Sequence, residues 1–587
     1  MFSRWRITYN DKHIVTIILI LVTLSAIACG AAAPANPSPA DNTGATEAPQ
    51  PAATTAPSSA GDSSTPTPVP QATSAPVQVD SAKDTITLVT QGEPPGAGAW
   101  DNCSGNVPGL VCSDVVVDPL TWIDSDTKEV VALSGTESWE QIEPNRWRFR
   151  LREGVKFHNG EPWNAAAAKM GIDINGTVGT PLEGFGFHGE ISGEVVDDMT
   201  VDVVCAEDCP IFPRTALWTS FQAPEWYASA PDEDRQSMTV SFGPYKTVEW
   251  DPGVQIRLEA YEDYLPNEAF DSQQPTIPNV VQMWRIEPLV RASMVAADEA
   301  DWAAEIGAEN QEQVPQAKSS TNSEIFLMTL DTVWHPELSK EPVRQALAHA
   351  IDCEGLVEAL YGGLVECFGN TSAEGTIGIT LENSAPYKYN PEMAQQLLQE
   401  AGYDPANEIR IYTREGRVAK DIEFYEGVAN FWREIGVNTK IHVLENAVNR
   451  DMGISGCGQH AEEALRCHEL PPPPPYSASS HAHSTATSNE TLDYARQAIL
   501  RQSCFAARSK ICDPSPGGLE EKINVAKSTP LGDLRRQRLE EIATLIREEY
   551  YFIPHFQVVV VYGLAPNLEW EPRYDPRTRV NVMRFTQ

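Results

Sequence analysis

The chain has 587 residues, 41% of them hydrophobic, and carries 43 Lys plus Arg against 82 Asp plus Glu, a net charge of −39. That length is too great for one ordinary core, so at least two lobes are expected. So acidic a balance repels phosphate backbones and excludes a general nucleic-acid binder; it suggests a soluble chain in salty surroundings, or partners that are cationic or neutral.

At the N-terminus, Arg4, Arg6 and Lys12 precede the apolar run Ile14 to Ala28, IVTIILILVTLSAIA. A basic segment, a short apolar core and small residues make an export signal over residues 1–28. The run is marginal for a bilayer-spanning helix, and no stop-transfer pattern follows it. Cys29 closes the run in LSAIACG, which resembles a bacterial lipobox. The resemblance implies that Cys29 becomes the lipid-bearing first residue; the alternative is an uncleaved anchor helix with an ordinary thiol. Either way the body lies outside the cytoplasm, in the periplasm or on the outer face of the plasma membrane. Residues 29–83 follow as a tether rich in Pro, Ala, Ser and Thr, with too little apolar surface to offset chain entropy.

Without Cys29, ten of the eleven cysteines remain, an even number. They fall in local couples: Cys103 with Cys112, Cys205 with Cys209, Cys353 with Cys367, Cys457 with Cys467, and Cys504 with Cys512. In an oxidising compartment this reads as five short-loop disulfides, although the last four cysteines could exchange partners.

The body opens with a strand, TITLV, then a Gly/Pro loop, TQGEPPGAGAWDN, then a strand-like piece in VVVDPLTWID. In RWRFRLR, Trp147, Phe149 and Leu151 alternate with Arg146, Arg148, Arg150 and Arg152. That period of two predicts a half-buried strand with a solvated basic face. A turn is expected at Asn159-Gly160, and a helix, AAAAKMGIDI, after the N-cap candidate Asn164. EMAQQLLQEAGY has helical spacing with Gly402 as its C-cap, TKIHVLE alternates as a strand, and helices and strands alternate between 280 and 450.

The stretch LSGTESWEQIEPNRWRFRLREGVKFHNGEPWNAAAA resembles the extracytoplasmic solute-binding proteins of the oligopeptide, dipeptide and nickel class. So do SFGPYKTVEWDPGVQIRLEAYEDY, EPVRQALAHAID, YNPEMAQQLLQEAGY, GVANFWREIGVNTKIHVLE and LRRQRLEEIATLIREEYYFIPHFQ. The resemblance runs through nearly everything after residue 84. It implies an α/β, two-lobe clamshell of the type II periplasmic-binding-protein class, with an extra subdomain. One lobe would comprise 84–285 plus 554–587. The other would span 286–553, with a Cys/His/Pro-rich insertion at about 452–515. Crossing strands near VVQMWRIEP and YFIPHFQVV would form the hinge.

No GxSxG, P-loop or HExxH motif occurs, and no catalytic residue or cofactor is assigned. Asp352 invites a general-base reading, but its place at a helix end favours capping. Cys457, His460, Cys467, His468, His481 and His483 are ligand types for zinc or nickel, but their spacing is irregular and Pro471 to Pro475 interrupt it. A disulfide-stapled surface insertion is the alternative. Trp100, Trp334, Tyr412 and Phe556 are the candidate solute contacts, because flat side chains near a lobe interface bury ligand area at low entropy cost; ordinary packing competes for each. Trp139, Trp147 and Trp163 are assigned to packing.

What the resemblance implies is a monomeric, lipid-anchored binding protein. It would capture a peptide or other small solute and deliver it to the permease subunits of an ABC importer. An exported sensor or chaperone-like protein on the same fold is the runner-up, and a secreted metal-dependent hydrolase the third reading. The carboxylate that meets a peptide's amino terminus in the family cannot be assigned from DMGISGCGQHAEEALRCHEL, so peptide, opine, sugar and nickel chelate stay open.

Overall fold

Ten strands contributed by distant parts of the chain form one sheet in the computed structural model, which describes residues 83–93, 114–176, 190–473, 481–575 and 577–586. All of them belong to one unit, Pro76–Gln587. The sheet runs in the order Thr439–Val443, Ile409–Thr413, Ala482–Ser488, Gln316–Leu330, Phe552–Leu564, Trp302–Ala303, Thr85–Thr90, Asn279–Trp284, Gln255–Ala260 and Tyr245–Asp251. TITLV is thus a central strand, parallel to both of its neighbours. Ile86, Leu88, Val89 and Thr90 are buried, while Thr85 and Thr87 are half-buried.

The long partner of Phe552–Leu564 is Gln316–Leu330, 15 residues in length, and not the six-residue strand at 279–284. Two irregularities interrupt this antiparallel pair. Asn322, Ser323 and Glu324 are looped out between the pairs Thr321–Val559 and Ile325–Gln557. His555 falls where the register shifts between Phe326–Phe556 and Leu327–Pro554. Pro554 has no N–H to give a ladder, so a break beside it is the expected place for it.

A second sheet holds Thr136–Glu143, Arg146–Leu151, Thr200–Cys205 and Ile191–Asp197. In RWRFRL the inward residues Trp147, Phe149 and Leu151 are buried, and Phe149 packs edge-on against Phe212. The basic face is only partly solvated. Arg146 and Arg148 both bind Asp202, a carboxylate 2% exposed on the neighbouring strand, at 2.8 to 3.0 Å. Arg150 alone of the three is exposed. Alternation told which residues face inward, but not that a buried acid on the next strand would recruit the outward ones.

Local signals behave as their chemistry requires. Asn164 caps Ala165–Asn175 by accepting from Ala167 N at 3.0 Å. Asp352 caps Cys353–Tyr361, accepting from Gly355 N at 3.0 Å, so capping accounts for this acid. Gly402 follows Pro391–Glu400 with φ +59°, in the left-handed region a C-terminal glycine supplies. VVVDPLTWID departs from expectation. Only Trp122–Ile123 is strand, because Pro119 breaks the ladder and the acids flanking the valines are held elsewhere. Asp114 pairs with Arg577 and Asp118 with Arg579, while Arg573 joins Asp271 and Asp575. The last folded residues are therefore stapled to nearly the first, with the Trp122 ring lying against all three guanidinium groups.

Four sulfur pairs are bonded in the structure: Cys205–Cys209, Cys353–Cys367, Cys457–Cys467 and Cys504–Cys512. Cys29, Cys103, Cys112 and Trp100 lie outside the described residues. Among the described residues no helix is long and apolar enough to cross a membrane.

Candidate functional site

The looped-out residues of the long strand pair are polar and yet almost wholly buried. Asn322, Ser323 and Glu324 are each 1% exposed. The loop is locked by its own bonds: Glu324 N donates to Asn322 Oδ1 at 2.8 Å, and Gln557 Nε2 donates to Asn322 O at 2.7 Å. Asn322 Nδ2 and Ser323 Oγ find no hydrogen-bond partner among the described residues. Buried polar groups are normally satisfied by protein or water, so these two atoms keep hydrogen-bonding capacity for a water or a solute. The Glu324 carboxylate is bonded to Arg417, on the loop after Ile409–Thr413.

Ala482–Ser488 runs antiparallel to this strand and sets Ser488 opposite Glu324. Its sequence, AHSTATS, is made mostly of small residues and is mostly buried. The chain then passes through Asn489 and Glu490 into a short helix, Ala495–Gln497, continued by a π-helical turn, Ala498–Gln502. Such turns recur at functional sites. Arg496 reaches Glu490 at 3.3 Å and stacks over Trp218 at 5.2 Å. Arg501 donates from Nε to Thr487 Oγ1 at 3.0 Å. Glu490 is 1% exposed, and neither of its carboxylate oxygens accepts a hydrogen bond among the described residues.

Residues from the far side of the sequence complete the surroundings. Arg214 donates to Thr491 O at 3.0 Å, and the Tyr574 hydroxyl donates to Glu490 O at 3.1 Å. The 482–502 segment is thus met by the chain before Tyr245–Asp251 and by the C-terminal segment.

The electrostatics are unusual for so acidic a chain. Burial lowers the Arg501 pKa far below the ordinary guanidinium value, and Arg508, Arg496 and Arg417 push it the same way. Burial, then Arg450 and Arg496, lower that of Arg508. Burial also lowers Arg496, against the opposing pull of Glu490. At Arg417 burial is outweighed by Glu324, and its pKa is raised. His483 is driven down to about 3 by burial and by the nearby Lys510, Arg501 and Arg508. Chemically, guanidinium groups can hold carboxylates, Glu490 can hold an ammonium, and Asn322 and Ser323 can hold a peptide-like backbone.

The aromatic candidates are scattered. Trp334 donates its indole N–H to Leu470 O at 2.8 Å and Cys467 O at 3.2 Å, tying down the Cys457–Cys467 loop. Tyr412 is 8% exposed and stacks on His442 at 5.2 Å. Phe556 is fully buried among Phe326, Phe424 and Tyr361, where core packing accounts for it. Nor do the insertion's histidines converge. His481 packs edge-on against His335 at 4.4 Å, His483 Nε2 bonds Asn449 O at 3.1 Å, His460 lies by Trp334, and His468 is exposed. Among the described residues the one grouping of metal-ligand type is Cys457, Cys467 and Cys512, and all three sulfurs are in disulfides.

Glu324, Arg417, Glu490, Arg496, Arg501 and Arg508 escaped the sequence reading. The usable signals were a strand of small polar residues, HSTATS, and arginines five apart in YARQAILRQ.

Comparison with known proteins adds the following. The model of the bacterial extracellular solute-binding proteins, family 5 Middle, matches residues 132–460. The glutathione-binding protein GsiB of Pectobacterium atrosepticum is 26% identical over 278 residues, 44% of this chain and 50% of the relative. GsiB of Salmonella typhimurium is 26% identical over 359 residues, 57% of this chain and 64% of the relative. The chain thus spans half to under two-thirds of those relatives' length. Among solved structures, the ABC transporter substrate binding protein CtaP of Listeria monocytogenes superposes with TM-score 0.70 at 18% identity, over 86% of this chain and 100% of that one. The oligopeptide-binding protein AppA of Bacillus subtilis, in complex with a nonapeptide, gives 0.68 at 17%, over 87% and 100%. NikZ of Campylobacter jejuni, in complex with Ni(L-His), gives 0.64 at 16%, over 83% and 95%. These likenesses carry the fold alone, that of type II periplasmic binding proteins.

Proposed function

The chain belongs to the bacterial extracellular solute-binding proteins of family 5, a family of binding proteins and not of enzymes, and from that premise we propose that it is the solute-capturing subunit of an ABC importer. Two lobes, 84–285 with 554–587 and 286–553, close on a small solute and present it to the permease. The bulged pair Gln316–Leu330 and Phe552–Leu564 is the hinge, since looped-out residues weaken a ladder where bending is needed. The site is the polar chamber around Asn322, Ser323, Glu490 and Arg496. Peptide-like solutes suit it, as the names of the glutathione- and oligopeptide-binding proteins of similar sequence or fold also favour.

The observation that carries this reading is the set of occluded polar atoms at the bulge and on Glu490, which make no hydrogen bond among the described residues, although Glu490 is ion-paired with Arg496. They lie where segments from both proposed lobes meet. Mass spectrometry of small molecules released from the purified full chain identifies the solute. Glu490→Gln is then expected to weaken that solute at least roughly tenfold without lowering Tm, the effect of losing one charge-assisted bond. Unchanged affinity removes the chamber from the reading.

Anchoring at Cys29 on the outer face of the membrane belongs to the same proposal, as do a monomeric state and five disulfides formed after export. Cys29→Ala should move the chain into the soluble fraction; full membrane retention would refute lipid attachment.

A further inference from the structure

Arg501 and Arg508 are cations that the chamber leaves unbalanced. Arg417 has Glu324, and Arg496 has Glu490. Arg501 has only the Thr487 hydroxyl, with no carboxylate against it among the described residues. Arg508 forms neither hydrogen bond nor ion pair among them, and lies beside Gly453 and His483: a Cβ on Gly453 would stand 3.9 Å from its Nη1 and 3.3 Å from the His483 ring. Both residues are half-buried.

A lysine or histidine in such a place relieves the cost of burial by shedding its proton. Arginine keeps its charge, so the cost stands until an anion arrives. Five guanidinium groups (Arg414, Arg417, Arg496, Arg501 and Arg508) gather here inside a chain of net charge −39. The acidic exterior does not cancel them: beyond a Debye length of about 8 Å at physiological salt, exposed charges are largely screened, while buried ones are not.

We propose that the solute is an acidic peptide or peptide-like amino acid derivative bearing at least two carboxylates, which Arg501 and Arg508 receive while Glu490 takes its amino group. The inference rests on the chamber being the solute site. It adds a charge specificity that distinguishes this binding protein from one accepting peptides of any sequence.

The test is calorimetric titration of the full chain, purified in detergent and freed of bound solute, with Glu-Gly-Glu, Ala-Gly-Ala, Lys-Gly-Lys, reduced glutathione and Ni(L-His). At least one of the two anionic peptides should bind roughly ten- to a hundredfold tighter than Ala-Gly-Ala, and Lys-Gly-Lys should not register. Arg501→Gln with Arg508→Gln should erase that preference while the ligand-free variant melts no lower than the parent, since an unpaired buried charge is lost. Arg501→Lys with Arg508→Lys should retain the preference, which guards against a variant that merely misfolds. If Ala-Gly-Ala or Ni(L-His) binds and the acidic peptides do not, or if the glutamine variant keeps its preference, the charge specificity is wrong while solute capture stands. If no probe binds, the charge inference and the placement of the site fail together.

Discussion

Arg535 closes a two-bond fork on Asp493, at 2.7 and 2.8 Å, with neither side chain exposed to solvent. The fork joins Asp533–Glu548 to the residue that precedes Tyr494 and Arg496, so one wall of the chamber hangs from a helix distant in sequence. Arg535 Nη1 also donates to Ala526 O and Thr529 O, so four of its five N–H groups are bonded. Breaking such a pair strands a buried charge, whereas replacing both partners by apolar residues need not. Arg535→Met is expected to cost roughly 3–5 kcal/mol, and adding Asp493→Leu to restore much of it. A double-mutant cycle by urea unfolding reads the coupling, and additive losses would contradict the stranded-charge account.

On the RWRFRL strand, Phe149→Ala should cost roughly 3–5 kcal/mol by opening a cavity beneath the sheet. The two arginines should now behave differently, because Arg148 grips Asp202 through both ends of its fork and Arg150 does not. Arg148→Gln lowers the urea midpoint more than Arg150→Gln; equal midpoints would overturn the assignment. Burial works to raise the Asp202 pKa, but Arg148 and Arg146 outweigh it and hold it below the ordinary value. The contribution of this pair is thus complete above the normal carboxylate pKa and is lost as pH falls through the lower folded one.

Four histidines make the fold acid-sensitive from a higher pH. Burial first, with smaller contributions that differ from site to site, lowers His158 to about 4, and His481, His483 and His555 to about 3. An unfolded histidine takes its proton near pH 6.5, so between that value and pH 3 to 4 the unfolded chain binds more protons and stability falls as pH falls. Each fully neutral site adds a slope of at most about 1.4 kcal/mol per pH unit. His555→Gln should flatten the stability curve measured between pH 6.5 and 4.5. A curve of unchanged slope would show that His555 titrates normally.

Trp334 bonds the carbonyls of Cys467, which closes the disulfide loop, and of Leu470, just beyond it. Trp334→Phe keeps the ring and removes both bonds, so amide exchange across 460–470 should quicken while solute affinity changes by less than about threefold. A large loss of affinity with unchanged exchange would return Trp334 to the solute site.

Elements with their own periodicity or caps were legible in the sequence: Thr85–Thr90, Arg146–Leu151, the Asn164-capped helix, and Pro391–Glu400 ending at Gly402. Chemistry that depends on residues far apart was not. Nothing local to Arg148 announces Asp202, and nothing around Asp118 announces Arg579. The chamber was missed for the same reason: its charges come from loops at 417, 490–501 and 508, and its orphan polar atoms exist only because three residues are looped out of a strand. Aromatic residues drew notice as solute contacts because they are conspicuous, yet Phe556 occupies an apolar cluster that any large side chain in its register would enter.

The bonds from Arg577 to Asp114 and from Arg579 to Asp118 span 463 and 461 residues. Synthesis runs from the first of these acids towards the last of these arginines. At roughly 5–20 residues per second the carboxylates wait about 20 to 90 s for their partners. Through that interval the residues around Trp122 have no counter-charge with which to be buried, and the strand Trp302–Ala303 still lacks Gly563 and Leu564 beside it. Burial of the acids around Trp122 therefore has to wait until residues 573–579 have been made, however early the rest of the sheet around Thr85–Thr90 forms.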